Sequence, residues 1–218
     1  MTSKRFDLLT LFPEALTSYL DAALLARARK VKAIDVRLHN FRDFATDRHH
    51  TVDDTPYGGG PGMVLKVEPI DRCLRSIRRR RRSRVILLDP KGELFTQQDA
   101  QRYASKYDQL ILVSGRYEGF DERIIPLTDE QRSVGPYVLS GGELPALTIV
   151  EAVTRLLPGV VDHGEGVHDD TYSPDPDYVQ YPQYTRPETY RDHRVPPILL
   201  SGDHGKIAAW RRAKSGTR

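Results

Sequence analysis

The 218-residue sequence predicts an α/β protein built on a mostly parallel sheet, followed by a small helical domain. Three observations carry this. Short apolar runs alternate with stretches of helical spacing, the runs close on Pro, Asp-Pro or Ser-Gly as strands entering loops do, and the composition changes after Pro158. Taken in order, Phe6 to Phe12 reads as a strand ending at Pro13, which suits the first turn of the next helix because its missing N–H costs nothing there. Leu16, Tyr19, Leu20, Ala23 and Leu24 then share one helical face. Ile34 to Leu38 alternates as a strand, Arg84 to Leu88 is a buried-type strand closing on Asp89-Pro90, and Gln109 to Val113 is another closing on Ser114-Gly115. Between the last two a helix is expected over Thr96 to Lys106, and Glu143 to Leu157 gives a further amphipathic helix through Ala146, Ile149, Val150, Val153 and Leu156.

Pro158 to Asp177 is rich in Gly, Pro, Asp and His and too long for an ordinary connection in a compact domain. The expected organisation is a main domain over 1–160, a linker over 161–177 and a small domain over 178–218. In the last, Pro187 to Arg212 suggests two short helices, with Asp203 as an N-cap. Hydrophobic residues make up 39% and charged residues 29% of the chain, and no apolar run approaches the roughly 20 residues of a membrane helix. Met1 to Phe12 lacks the pattern of a secretory signal, and Cys73 is the only cysteine, so a cytosolic protein without disulfides is expected.

The net charge is only +3, but arginines cluster at Arg78 to Arg82, with Arg84 close behind. Such a run is either a solvated, self-repelling loop or a phosphate contact. A second basic region, from Arg186 to Arg218, interleaves its cations with Tyr184, Tyr190 and Trp210, a mixture that suits nucleic acid. Three glycine-bearing segments stand out at Pro56 to Gly62, Ser114 to Gly119 and Ser133 to Glu143. Each is a tight turn or a place where backbone approaches a ligand. None has the spacing of a P-loop or a dinucleotide fingerprint, which argues against a kinase, an NTPase or a Rossmann dehydrogenase. His49, His50, His163 and His168 lack the spacing of a zinc site, so no metal site is expected. Asp169-Asp170 in the linker is either a solvated pair or a base carried over a substrate, and Arg155 is either an exposed partner of Glu151 one turn earlier or a functional cation.

The segments Asp47 to Asp54 with Pro56 to Met63, Gly115 to Gly119 with Asp121 to Arg123, Tyr137 to Ala146, Tyr184 to Pro187 and Val195 to Gly202 occur in this order along nearly the whole chain. They resemble the bacterial tRNA (guanine-N1)-methyltransferase family TrmD, of the knotted SPOUT class. The resemblance implies an α/β fold with a deep trefoil knot between about Leu87 and Leu144, a rare exception to the rule against threaded loops. It implies that S-adenosyl-L-methionine binds to three knot loops, which fall here on Leu88, Asp89 and Pro90, on Gly115, Tyr117 and Glu118, and on Val134, Gly135, Pro136, Tyr137, Val138, Leu139, Gly141 and Gly142. The implied product is 1-methylguanosine immediately 3′ of the anticodon, at tRNA position 37. Asp170-Thr171-Tyr172 matches the family's catalytic aspartate, hydroxyl residue and aromatic, and Arg155 matches its arginine. His49, Gly58, Gly59, Gly60 and Arg186 fall where substrate contacts are implied.

The family also implies a homodimer whose linker and C-terminal domain close over the partner's knot. No pattern in the chain speaks for or against magnesium. Asp89 and Pro136 stand where serine and aspartate are commoner, the segment 174–181 diverges, and the chain reaches Arg218 soon after a helix that in relatives leads into further basic helices, so a short or truncated tRNA-binding domain is expected. A knotted enzyme for another RNA is disfavoured by Asp47 to Met63, and a non-catalytic RNA-binding protein by the retained Asp170 and Arg155.

Overall fold

A computed structural model describes residues 3–161, 170–173 and 175–217; His163, His168, Asp169 and much of the expected linker lie outside the described residues. The chain divides into two units, Met1–Asp162 and His163–Arg218. The first is organised by a five-stranded sheet in the order β2-β1-β6-β5-β7. Its strands are β1 (Lys4–Thr10), β2 (Ile34–Asn40), β5 (Ser83–Leu94), β6 (Gln109–Ser114) and β7 (Glu130–Ser133), and every neighbouring pair is parallel. A short antiparallel pair, β3 (Asp53–Asp54) and β4 (Val64–Leu65), lies outside it.

Period-two alternation explains why both faces of this sheet are covered. Phe6 and Leu8 of β1, Ile86 and Leu88 of β5, and Leu110 and Leu112 of β6 enter one core. Leu9, Val85, Leu87, Ile111 and Val113 enter the other. The first core is closed by α1 (Glu14–Leu20), α2 (Ala23–Lys30), α4 (Gln97–Lys106) and α5 (Glu143–Thr154). The second is closed by α3 (Val67–Ser76), through Ile70, Cys73 and Leu74. Strands buried on both faces read as continuous apolar runs, and each fully buried Leu or Ile contributes about 1.5–3 kcal/mol. Thr96 caps α4 with a reciprocal box to Asp99, so it belongs to the cap and not to the helix expected over Thr96 to Lys106.

Three expectations are corrected. The single helical face from Leu16 to Leu24 is broken into α1 and α2, with Ala22 extended between them; Tyr19 turns outward and donates to Glu151, and Ala23 is exposed. The helix expected to reach Leu157 ends at Thr154, with Arg155 as its C-cap. In the second unit the expected pair of helices is one 3-10 turn at Pro197–Leu200 and one α-helix, α6 (His204–Lys214), whose N-cap Asp203 accepts from Lys206 N at 3.0 Å as expected. The unit's other described regular elements are strand pairs, β8 (Tyr178–Val179) with β11 (Gly216–Thr217) and β9 (Thr189–Tyr190) with β10 (His193–Arg194).

The edge strand β7 is held by charge. Glu130 accepts a bidentate pair from Arg102 at 2.8 Å each, one bond from Arg84 at 2.6 Å, one from Tyr103 at 2.7 Å, and two from Arg132. Burial opposes its ionisation, but the donors from Arg102, Tyr103, Arg132 and Arg84 together hold the carboxyl well below the usual carboxylate range. A depressed folded-state pKa contributes stability above the unfolded value, near 4.3, and that contribution is lost as pH falls further. Glu130→Gln is therefore expected to lower the melting temperature at pH 7 and to flatten its decline below about pH 4.5. Melting curves between neutral and acid pH check this; an unchanged acid limb would mean that other carboxylates govern it.

Candidate active site

The order of the sheet decides where a cavity can open. β6 and β7 flank β5, so the loops leaving all three converge beyond its carboxyl end, the place where open parallel sheets take ligands. β5 departs from its pairing with β7 between Leu88 and Glu93. In that excursion Asp89 Oδ1 accepts from Lys91 N at 2.8 Å, and Gly92 lies so close to Arg132 that a Cβ would stand 2.6 Å from its backbone nitrogen. The loop after β6 pairs with the loop before α5: Arg116 bridges Gly141, and Gly142 N donates to Gly115 O at 2.9 Å.

The result is a cavity of about 330 Å³ lined by Leu88, Asp89, Pro90, Gly115, Tyr117, Glu118, Val134, Gly135, Tyr137, Val138, Leu139, Gly141 and Gly142. It gathers the residues expected from all three loops except Pro136, which is exposed and outside the lining. Glycine is required here by space. At Gly142 a Cβ would meet the Ser114 Cα at 2.7 Å, and at Gly115 it would meet the Phe120 ring at 2.7 Å.

Lys91, Arg116, Phe120, Arg132, Ser133, Ser140 and Pro145 also line the cavity and were not singled out from sequence. Arg116, Ser133, Ser140 and Pro145 had a visible signal, inside the segments Gly115 to Gly119, Ser133 to Glu143 and Tyr137 to Ala146, whereas Lys91, Phe120 and Arg132 had none. The three cations are already engaged. Lys91 Nζ donates to Glu122 at 2.6 Å, a bond that raises its ammonium pKa above the usual range. Arg132 lies on Glu130 and 3.2 Å from Asp99. Arg116 stacks over Phe12, with its guanidinium 3.0 Å from the Glu143 carboxylate, an ion pair without hydrogen-bond alignment. Glu143, buried in the first turn of α5, also accepts from Thr10 Oγ1 at 2.6 Å and so ties the end of β1 to the cavity wall.

The loop bearing Gly58, Gly59 and Gly60 is fastened to this wall. Glu118 N donates to Met63 O at 3.0 Å, Leu65 N to Gly119 O at 2.9 Å, and a Cβ on Gly62 would strike the Glu118 side chain. Gly58, Gly59 and Gly60 have φ of +86, +77 and +134°, which favour glycine, and they stand exposed beside a fully exposed Tyr57. His49 is exposed, its backbone amide held by Asp47 at 3.1 Å. A second, apolar groove adjoins the cavity along α5, shares Val134, Tyr137, Leu139 and Pro145 with it, and includes Arg155. Asp170 and Arg186 belong to the second unit, where Asp170 is half-buried and Arg186 is exposed before a cis proline. Among the described residues no cluster of His, Cys, Asp and Glu is arranged to hold a metal, and no helix is long and apolar enough to cross a membrane.

The family model for tRNA (Guanine-1)-methyltransferase TrmD matches residues 4–218. The chain belongs to this family. Similar relatives named tRNA (guanine-N(1)-)-methyltransferase include one from Geobacter metallireducens, 46% identical over 97% of this chain and 86% of that protein. Others come from Pseudomonas putida strain W619, 47% identical over 99% and 86%, and from Chloroflexus aurantiacus, 49% identical over 96% and 83%. The cavity fits the methyl donor that such an enzyme needs. Its apolar walls at Leu88, Val134, Val138 and Leu139 suit a flat base, and glycines leave backbone groups open to polar edges, while the Asp89 carboxylate is held by Lys91, through its amide at 2.8 Å and its ammonium at 3.9 Å.

Proposed function

We propose that this chain transfers a methyl group from S-adenosyl-L-methionine to N1 of the guanosine immediately 3′ of the anticodon, tRNA position 37. The observation that carries the reading is the convergence of three loops, two of them contributing glycines to the lining, on one cavity at the carboxyl ends of β5, β6 and β7. Leu88, Asp89 and Pro90, Gly115, Tyr117 and Glu118, and Val134 to Gly142 would hold the donor there. When bound, the donor supplies an electrophilic methyl on a sulfonium.

The protein's own part is proton transfer and charge stabilisation. N1 of guanine is a poor nucleophile while protonated, and Asp170, as general base, takes that proton. A positioned base contributes about 10² to 10⁴ in rate. Negative charge then spreads to O6, where the Arg155 guanidinium stabilises it as it develops. Arg155 borders the groove that adjoins the cavity, which supports this role. Gly58, Gly59, Gly60, His49 and Arg186 receive the RNA, with the second unit as tRNA-binding domain, and the target guanine leaves its stack to enter at a cost of a few kcal/mol.

The α5 groove, with exposed Leu144, supports a homodimer in which each site joins the cavity of one subunit to Asp170 of the other. The same reading places a trefoil knot between about Leu87 and Leu144, and the enzyme in the cytoplasm. Incubation with labelled donor and unmodified tRNA, followed by nucleoside analysis, tests the reaction. Label in 1-methylguanosine is expected; label in any other nucleoside, or none, overturns it.

A further inference from the structure

The arginine run at Arg78 to Arg82 is left over from the account of the cavity, and its structure is unlike that of a self-repelling loop. Two of its five arginines anchor the turn. Arg80 donates to the backbone oxygens of Ser3 and Asp108, and Arg82 grips both Asp108 oxygens, at 2.9 and 2.5 Å. The backbone is fixed as well: Arg80 N donates to the Gln109 side chain at 2.6 Å, Arg78 O accepts from Arg5, and Arg82 O accepts from Asp108 N at 2.8 Å. Arg78, Arg79 and Arg81 are exposed, and their side chains form no ion pair among the described residues.

Topology widens this cluster into a band. In a parallel sheet every turn from helix into strand lies at the amino ends of the strands. The turns from α2 into β2, α3 into β5 and α4 into β6 place exposed Lys30 and Lys32, the arginine turn, and exposed Lys106 at that end. β2 and β5 are three strand spacings apart, about 14 Å. The acidic groups there are already engaged: Asp35 with Arg37, Asp108 with Arg82, and Asp129 with the Val85 amide at 2.7 Å. Val31 is the only exposed large hydrophobic residue at these turns among the described residues.

We infer that this end of the sheet is a second RNA-binding surface, which holds the phosphate backbone of duplex RNA without reading sequence. Guanidinium forks match phosphate oxygens, and cations spread along a band suit a polyanion better than one small anion. A membrane surface would require apolar side chains to enter it, and one valine does not supply them. The band lies at the opposite strand ends from the cavity. Arg82, just before β5, and Leu88 within it are six residues apart, about 20 Å at 3.3 Å per residue, so RNA held here is a different length of backbone from any that enters the cavity. The surface stands whether or not the cavity transfers methyl groups.

The test is fluorescence anisotropy of the full chain with a blunt RNA duplex of about two helical turns that contains no anticodon loop. Affinity is expected to fall steeply with salt. Replacing Arg78→Ser, Arg79→Ser and Arg81→Ser together should weaken binding by at least about tenfold and reduce the slope of log affinity against log salt by about two to three. The lysine version of the same three positions should retain most of the binding and so exclude a folding defect. Saturating S-adenosylmethionine should leave the bound duplex in place. Equal binding by the serine variant at every salt concentration, displacement of the duplex by S-adenosylmethionine, or capture of anionic lipid vesicles with no capture of the duplex would each overturn the inference.

Discussion

Asp170→Ala is expected to lower single-turnover methylation by about 10² or more while donor affinity stays near that of the native protein, because a general base acts on the proton in flight and not on the donor. On the proposed reading the residues that hold the donor all lie in the first unit and Asp170 lies in the second, so the variant removes no group assigned to the donor. Rapid-quench assays with enzyme in excess over tRNA, with calorimetry of donor binding alongside, measure both. If Asp169→Ala proves the damaging change and Asp170→Ala the mild one, the base is one residue earlier. Mixing Asp170→Ala subunits with Gly141→Trp subunits extends the test to the dimer. A shared site predicts one restored site in each heterodimer, whereas a site built within one chain predicts background activity.

The second large effect is expected at Gly142. Its φ of −84° is open to any residue, so the constraint there is space alone. The nearest atoms to an added Cβ, the Ser114 Cα at 2.7 Å and the Gly115 N at 2.9 Å, are backbone of the strand end that the Gly142 amide bonds. They can move only by opening the cavity wall. Gly142→Ala should therefore weaken donor binding by about tenfold or more, the equivalent of 1.4 kcal/mol, within the usual 1–3 kcal/mol for overpacking. Gly141→Ala should be milder, because there the Cβ meets the side-chain ends of Arg116 and Glu143. Calorimetry on folded variants decides; unchanged affinity for both would place the donor elsewhere.

Much of this was legible in the sequence because the fold rests on runs buried on both faces. β5 and β6 were readable as unbroken apolar runs closing on Asp-Pro and Ser-Gly, β1 as an apolar run interrupted by Asp7 and Thr10 and closing on Pro, and the closing residues of β5 and β6 marked two of the cavity's walls. β7 was not, since Glu130 to Ser133 has no apolar residue and is secured by Arg84, Arg102 and Arg132, contacts between residues up to 46 apart. The break between α1 and α2 was hidden for a related reason: Tyr19 fits the apolar spacing, but its hydroxyl is drawn to Glu151, 132 residues further along the chain. Arg132 reaches the cavity only through the β5 excursion, which no local pattern announces. The functional roles of Asp170 and Arg155 came from family likeness alone. Their local sequence suits an exposed carboxylate and an exposed cation equally well.

The bond between Thr10 and Glu143 joins residues 133 positions apart, and the wall it braces also draws on Met63, Leu88, Gly115 and Arg132. No fragment of the first unit can therefore contain a working cavity. Topologies dominated by such distant contacts fold slowly, because loop closure must be completed before the contacts that reward it. During synthesis, a ribosome that has not yet released α5 displays a chain whose cavity lacks one of its walls. Competence for ligand should arise with the whole unit, in one late step.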